Sequence, residues 1–166
     1  AVRALVLAVV VTGLAAAPVP VAARPQPLPD PPGLEPIIFV HGLHSTVEAF
    51  STMRQRFLDV GVPEDRLWTF GYDSKQSNVV TAEAFGDFVA WVRSLTGAAH
   101  VDVVSHSMGA FSTRWCIRFG SCRRVVDDWV SLAGPNHGTQ TSYLCALFSG
   151  EEGCPEIAVG SSFLQT

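Results

Sequence analysis

From residue 36 onward, short continuous apolar runs alternate with longer segments in which apolar residues recur every three or four positions. Uninterrupted apolar runs are typical of strands buried on both faces of a parallel sheet, whereas the periodic segments predict amphipathic helices. The alternation therefore predicts an α/β domain in which helices cover both faces of a parallel sheet. The predicted strands span residues 37–40, 67–72, 101–104 and 125–133.

The segment after the first strand carries a helix start signal. Ser45 followed by Glu48 matches a capping box, in which each residue binds a free backbone N–H of the other. The pattern predicts a helix that begins at Ser45 and places Phe50, Met53 and Phe57 on its apolar face.

A second helix is predicted to end at Gly97, because glycine suits the left-handed position after a helix end. Its apolar face is predicted from the residues at helical spacing, namely Ala84, Phe88, Trp91, Val92 and Leu95. A third helix is predicted over residues 108–119, directly after the third strand. In open parallel sheets the chemistry lies at the carboxyl ends of the strands, so a functional site is expected in the loops that follow them.

The loop after the third strand has the sequence Ser105-His106-Ser107-Met108-Gly109. A strand, a sharp turn of small residues and a helix form a nucleophile elbow, in which the residues two before and two after the nucleophile must be small. The helix N-terminus also points free N–H groups at charge developing near Ser107. We therefore predict that Ser107 is a nucleophile, against the simpler interpretation that it only caps the helix.

A second element of the same chemistry follows the first strand. The tripeptide His41-Gly42-Leu43 stands where such folds carry the early oxyanion loop. An oxyanion hole needs two backbone N–H groups, one from this loop and one from the residue after the nucleophile. We therefore predict that the N–H groups of Leu43 and Met108 bind the oxyanion.

Composition limits the partners. The formal net charge is -4, and the 11 basic residues, ten arginines and Lys75, form no basic run, so nucleic acid is not an expected partner. No cofactor is predicted. No metal is predicted either, because the four cysteines form no Cys-x-x-Cys pair and the histidines at 41 and 44 have no third ligand nearby in the sequence.

The first residues predict export. Residues 1–23 contain one charge, a long Ala/Val/Leu run and small residues at a cleavage position, which indicates a signal peptide. A membrane anchor is the alternative, but Pro18 and Pro20 leave the apolar run shorter than a bilayer span, so no stable anchor is expected. Residues 24–35 predict a Pro-rich linker, and residues 36–166 the α/β domain.

Four cysteines in an exported protein predict two disulfides, for which three pairings exist. We predict the sequence-local pairing. Cys116 would join Cys122 at the end of the third helix, and Cys145 would join Cys154 across a Gly-containing loop.

Three motifs together resemble the class 2 secreted lipases of bacteria, which have the α/β-hydrolase fold. The resemblance covers nearly all of the chain from residue 36, and its motifs lie at residues 36–42 (PIIFVHG), 103–109 (VVSHSMG) and 131–139 (SLAGPNHGT). It implies a secreted bacterial serine esterase that cleaves carboxylic esters of lipids through an acyl-enzyme on Ser107. Lipid or small esters are the implied substrates, with a lipid interface as a further expected partner.

This chemistry also requires a base and an acid, in the chain order Ser, Asp or Glu, His. Only His137 follows Ser107, and Asp127 and Asp128 precede it. These acids begin the fourth strand whereas the histidine follows its other end, about 17 Å away at 3.3 Å per residue. We therefore expect no triad acid or histidine in this chain, and a sheet that lacks its last strands because Thr166 is a premature end.

Three alternatives stay open. Asp73, Glu151, Glu152 or Glu156 serves as acid only if a loop folds back. Residues 140–163 form a short lid, a part of the acyl pocket or an ordinary loop. The protein is a lipase-type hydrolase, a catalytically incomplete fragment or binding remnant, or an acyltransferase of the same fold. Nothing in the residues separates water from alcohol as the acyl acceptor.

Overall fold

In the computed structural model, which describes residues 33–165, the strands form one parallel sheet with the order β2-β1-β3-β4. The predicted signal peptide and most of the predicted linker lie outside the described residues. The four predicted strands are all present, with ends that differ by one or two residues. Their bounds are Ile37–Val40 (β1), Leu67–Phe70 (β2), Val101–His106 (β3) and Val126–Leu132 (β4).

Helices lie on both faces of this sheet, as the sequence predicted. The α-helices are Ser51–Asp59 (α1), Asn78–Thr96 (α2), Gly109–Phe119 (α3), Ser142–Ser149 (α4), Gly153–Glu156 (α5) and Ser162–Gln165 (α6). Short 3₁₀ turns span Val47–Phe50, Glu64–Arg66 and Ser121–Arg124. Within residues 33–165, no helix has both the length and the apolar character to cross a bilayer.

Strand β1 shows how the two faces are built. Ile38 and Val40 point into a core under α2 and α3, whereas Ile37 and Phe39 point into a second core under α1. All four residues are buried because the strand is central and covered on both sides. A continuous apolar run is the sequence consequence of that position.

The predicted start of the first helix is wrong by one residue. Thr46, not Ser45, caps the chain there, with its Oγ1 accepting a hydrogen bond from the Glu48 N–H. Ser45 instead closes a tight turn, in which its N–H donates to the Gly42 carbonyl. The first turn after Thr46 is 3₁₀, and the N–H two residues after a cap is one of those that a cap side chain commonly satisfies.

The predicted apolar face of the second helix is also partly wrong. Only Val92 of the predicted set is fully buried, and Trp91 and Leu95 are about half exposed. The face that meets the sheet instead consists mainly of Ala82, Phe85, Val89 and Val92. Aromatic side chains outside this stripe misled the prediction, since Trp91 packs edge-on against Trp68 at the margin of the core. The predicted end is confirmed, with Gly97 at φ 68°.

Both predicted disulfides are confirmed. Cys116 pairs with Cys122 after α3, with 5.2 Å between their Cα atoms, and Cys145 pairs with Cys154 between α4 and α5, with 5.7 Å. Strand β4 forms the margin of the sheet within the described residues, and Val130 there is 46% exposed.

Candidate active site

The predicted elbow has the backbone geometry that its chemistry needs. Strand β3 ends at His106, α3 begins at Gly109, and Ser107 between them has φ 52°. A positive φ is uncommon in a residue that carries a side chain, and such strain concentrates at functional sites. The other non-glycine residues with positive φ in residues 33–165 are His44 and Ala133, and both follow strands at the same carboxyl edge.

The elbow needs small neighbours, and the structure shows why each one fits. A Cβ on Gly109 would lie 2.3 Å from the carbonyl oxygen of His41, so only glycine is accommodated there. Ser105 is fully buried, and its hydroxyl donates to the carbonyl of Val130 at 3.2 Å. Serine therefore replaces the glycine of the ideal motif without leaving a buried donor unpaired.

The early loop lies directly against the nucleophile. A Cβ on Gly42 would come within 2.9 Å of the Ser107 Cβ, so the loop approaches as closely as glycine permits. The loop is held from behind by Tyr72, whose ring stacks on buried His41 at 4.4 Å and whose hydroxyl donates to the His41 carbonyl at 2.8 Å. Burial raises the pKa of Tyr72 above its usual range, which keeps this donor protonated.

The predicted oxyanion residues come together with Ser107. Leu43 and His44 form the centre of the turn closed by the Ser45 N–H, and the Leu43 side chain packs on the core cluster that contains Met108. The Ser107 N–H donates to the Leu132 carbonyl at 2.9 Å, which ties the elbow to the end of β4. Ser107, Leu43 and Met108 thus form one compact group at the carboxyl edge.

The imidazole rings of the described residues make their hydrogen bonds away from Ser107. His41 Nδ1 contacts the Gly42 carbonyl, His44 Nε2 contacts Glu151, and His100 Nδ1 contacts Glu35 at the amino edge. His137 is exposed on a separate surface pocket of about 340 Å³ beside α3. In residues 33–165 no imidazole is hydrogen-bonded to the Ser107 hydroxyl.

The acids that precede His137 in sequence lie at the opposite edge of the sheet. The Asp128 N–H donates to Asp102 near the start of β3. Burial, and next the charge of Asp102, raise the pKa of Glu35, and burial likewise raises the pKa of Asp102. This cluster of carboxyl groups is remote from the elbow.

The loop that carries Glu151 does fold back, but onto a residue that the sequence did not single out as its partner. Glu151 Oε1 lies 2.5 Å from Nε2 of His44, and the Glu151 side chain is only 4% exposed. The His44 N–H also donates to the buried Ser74 hydroxyl. His44 therefore connects the early loop both to the chain after β2 and to the loop after α4.

Residues 140–163 are anchored along the carboxyl edge. Glu156 accepts hydrogen bonds from the Ser77 hydroxyl at 2.6 Å and from the backbone and side-chain nitrogens of Asn78 at 2.6 and 2.9 Å. A carboxylate at the N-terminus of α2 satisfies free N–H groups and is favoured by the helix dipole. The Glu152 N–H donates to the Lys75 carbonyl nearby. Sequence patterns gave no sign of these contacts, which join residues more than 70 positions apart.

Apolar surface is present beside the elbow and on α4. A cavity of about 380 Å³ opens beside the elbow, lined by residues of α1 together with His106 and Leu132. On α4, Tyr143, Leu144 and Leu147 are 59%, 58% and 76% exposed.

Comparison with known proteins relates this chain to lipases. The family model described as Lipase (class 2) matches residues 34–166. The mature form of Bacillus licheniformis lipase BlEst2 aligns with a TM-score of 0.65 at 18% identity, over 85% of this chain and 60% of that one. Aspergillus fumigatus lipase B aligns with a TM-score of 0.63 at 18% identity, over 82% and 33% of the two chains. At these identities the structural likeness establishes the fold.

One curated relative is a plant protein, the lecithin-cholesterol acyltransferase-like 4 of Arabidopsis thaliana, which is 28% identical over 110 residues. That match covers 63% of this chain, which spans about a fifth of the plant protein and 60% of the mature Bacillus lipase. The family model spans most of this chain, including the elbow and the early loop. The chain therefore belongs to the class 2 lipase family, and its parallel sheet is of the α/β-hydrolase type.

Proposed function

We propose that this protein is an exported serine ester hydrolase of lipase type, in which Ser107 is the nucleophile. The observation that carries the proposal is the strained backbone of Ser107 at φ 52°, with Gly42 packed against its Cβ. Strain of this kind exposes a serine at the top of the sheet where an acyl carbonyl can approach it. Membership of a lipase family and the lipase fold support an ester as the substrate.

In the proposed reaction the Ser107 oxygen attacks the acyl carbonyl as its proton passes to a base. The N–H groups of Leu43 and Met108 bind the oxyanion, and the positive end of α3 adds to this stabilisation. The alcohol then leaves with a proton, and water releases the acyl group from Ser107. We assign the base and acid to no residue of 33–165, because no imidazole there is hydrogen-bonded to Ser107.

We further assign the lipid contact to the exposed face of α4. The sequence of α4 contains no charged residue, and Tyr143, Leu144 and Leu147 present exposed apolar surface. Exposed apolar patches of this kind mark binding surfaces for lipid or protein. Because Glu151, Glu156 and a disulfide anchor the surrounding segment, α4 can meet a lipid surface without the segment opening.

Sedimentation with phosphatidylcholine vesicles tests this lipid contact. Leu144→Gln should reduce the vesicle-bound fraction at least about threefold, since a fully buried leucine contributes about 2 kcal/mol. Leu95→Gln is the matched control, because Leu95 is also 58% exposed but lies on α2. Equal losses in the two variants would exclude α4 as the contact.

Export is supported by the two disulfides, which are typical of oxidising compartments, and by the leader-like composition of residues 1–23. Mass analysis of the protein secreted by a bacterial host should show cleavage near residue 23. Retention of the intact chain in the cell would contradict export.

Acyl transfer is the second candidate, favoured by the similarity to the Arabidopsis protein whose name denotes an acyltransferase. The same acyl group on Ser107 would pass to an alcohol in place of water. Product analysis with a lipid ester and a sterol or short alcohol separates the two, because transfer yields a new ester and hydrolysis yields only the free acid.

A fluorophosphonate reagent that reports activated serines tests the nucleophile. Intact mass should show an adduct whose formation accelerates with added imidazole, an external base, and which Ser107→Ala abolishes. If the folded protein forms no Ser107 adduct even with imidazole, the proposal fails. Rapid stoichiometric labelling without imidazole would instead show that a base lies within the chain, contrary to the absence assigned above.

A further inference from the structure

We propose that the dithiol form of the Cys145–Cys154 pair is a zinc-binding site completed by Glu151, whose carboxylate is oriented by His44. The site uses neither Ser107 nor the oxyanion N–H groups, so it stands apart from the proposed ester hydrolysis. It lies where the loop after α4 meets the loop after β1.

Three donor atoms converge at this place, and the imidazole nitrogen of His44 lies against the carboxylate from the other side. The Cys145 and Cys154 sulfurs and a carboxylate oxygen of Glu151 all lie within 4.8 Å of one another. Both sulfurs are 3.5 Å from Oε2 of Glu151, and the other oxygen, Oε1, is 2.5 Å from Nε2 of His44. The carboxylate therefore has sulfur on one side and imidazole nitrogen on the other.

The burial of Glu151 points to a cation. Its side chain is 4% exposed and Cys154 is fully buried, and a buried carboxylate is costly unless a positive group or strong donors satisfy it. Disulfide sulfurs have no hydrogen to donate to Oε2. The contact to Oε1 comes from His44, whose side chain is 57% exposed. A divalent ion bound between the sulfurs and the carboxylate would satisfy Oε2, while His44 satisfies Oε1.

The ligands are held in place by contacts other than the disulfide. The Cys154 N–H donates to the Glu151 carbonyl, and the neighbouring Glu152 N–H donates to the Lys75 carbonyl. The His44 N–H is fixed by the Ser74 hydroxyl at 2.9 Å. These hydrogen bonds remain when the S–S bond is broken, so the dithiol form keeps its ligands close together.

Zinc is the metal that this donor set favours. Two thiolates and one carboxylate are ligands that zinc accepts, and solvent would take the fourth position of its tetrahedral coordination. A dithiol reductant first transfers two electrons and two protons to the disulfide and is itself oxidised to a disulfide. Zn²⁺ then displaces the two thiol protons to solvent, while Glu151 binds through Oε2 and keeps its Oε1 contact to His44. The ion thereby replaces the disulfide as the cross-link.

The other disulfide supplies an internal control. Cys116 and Cys122 lie in the apolar core beneath α2, packed with residues such as Phe85 and Val89. Within residues 33–165, no carboxylate or imidazole joins these two sulfurs in a group of three close ligand atoms, so the reduced form of this pair lacks the mixed donor set.

The test measures zinc binding by the full chain. The chain is first reduced with a phosphine and freed of metal, and binding is then followed by competition with a chromophoric chelator. One zinc per chain is expected, and cobalt in its place should give a thiolate-to-metal charge-transfer band. Replacing Cys145 and Cys154 together by Ser should remove the site, whereas the same change at Cys116 and Cys122 should leave it. Glu151→Gln and His44→Gln should each weaken zinc binding by at least about tenfold.

The proposal is overturned if the reduced chain binds no stoichiometric zinc although circular dichroism shows that it is folded. Equal binding after loss of Cys145 and Cys154 would overturn it as well. If that double variant does not fold, the Glu151 and His44 variants decide, because they keep all four cysteines. Unchanged zinc affinity in both would refute the site.

Discussion

The two ends of the parallel sheet differ in a way that supports the proposed site at the carboxyl end. The amino end carries a cluster of titratable groups, Glu35, Asp102 and Asp128 among them, and burial is the main cause that raises the pKa values of Glu35 and Asp102. At the carboxyl end lie the strained residues Ser107 and His44 and the closest backbone approaches. Raised carboxyl pKa values alone would have indicated the amino edge and not the edge that carries Ser107. Backbone strain and tight approach are better markers here, because they serve to place a nucleophile and its N–H donors.

The largest expected effect comes from a single methyl group at the carboxyl end. Gly109→Ala places a Cβ 2.3 Å from the His41 carbonyl oxygen and 3.0 Å from that of Val40. Forced separation of α3 from β1 should lower the free energy of unfolding by about 3 kcal/mol, measured by urea denaturation. Gly97→Ala, with open space and only an unfavourable φ, should cost about 1 kcal/mol. Equal costs would show that the close approach is unimportant.

Next in size is the anchoring of residues 140–163. Glu156→Gln removes a charged acceptor from the Ser77 hydroxyl and the Asn78 nitrogens, and should lower the free energy of unfolding by about 1–2 kcal/mol. Glu152→Gln is the control, because the Glu152 side chain is exposed. Increased proteolysis between α4 and α5 should accompany only the first change. A free energy of unfolding as high as that of the control would mean that Glu156 does not anchor the segment.

Strain at the elbow predicts that replacing Ser107 or Ser105 by glycine changes the free energy of unfolding in opposite directions. Ser107→Gly relieves the positive φ and should raise the free energy of unfolding by up to about 1 kcal/mol. Ser105→Gly, in the buried strand, loses a hydrogen bond to Val130 and should lower it by about 1 kcal/mol. Thermal or urea unfolding of the two variants measures this contrast. Destabilisation by both would indicate that Ser107 is not strained.

The smallest effect belongs to the amino end. Because burial raises the pKa of Asp102 in the folded state, the folded protein holds its proton more tightly than the unfolded chain does. Stability contributed by this group is therefore present at acidic pH and lost as pH rises through the raised pKa. Asp102→Asn should raise the free energy of unfolding at pH 7 by less than about 1 kcal/mol, since the site is partly solvated, and have little effect near pH 3. A larger gain at acidic pH would contradict this sign.

How far the sequence predicted this structure depends on the range of the interactions. The buried strands, the elbow at Ser107 and both disulfides were predictable, because each depends on neighbours along the chain. The capping residue was misplaced at Ser45, and Trp91 and Leu95 were wrongly assigned to the buried face of α2. A local pattern of apolar residues does not say which of two adjacent stripes meets the sheet.

The contacts of residues 140–163 lay beyond local patterns altogether. His44 meets Glu151 across 107 positions, and Asn78 meets Glu156 across 78. The sequence marks these two glutamates only as acids on a loop that could fold back, and it names no partner for either. Only the path of the chain across the carboxyl edge gives these two carboxylates their partners.

If the carboxyl end is prepared for negative charge at residue 107, a thiol at that position should ionise readily. The thiol pKa of the Ser107→Cys variant tests this most directly. Because the native cysteines are paired, the introduced thiol is the one that an alkylating reagent titrates. We expect a thiol pKa at least about one unit below that of the control variant Ser94→Cys, near the end of α2. A thiol pKa at position 107 equal to or above that at position 94 would contradict it.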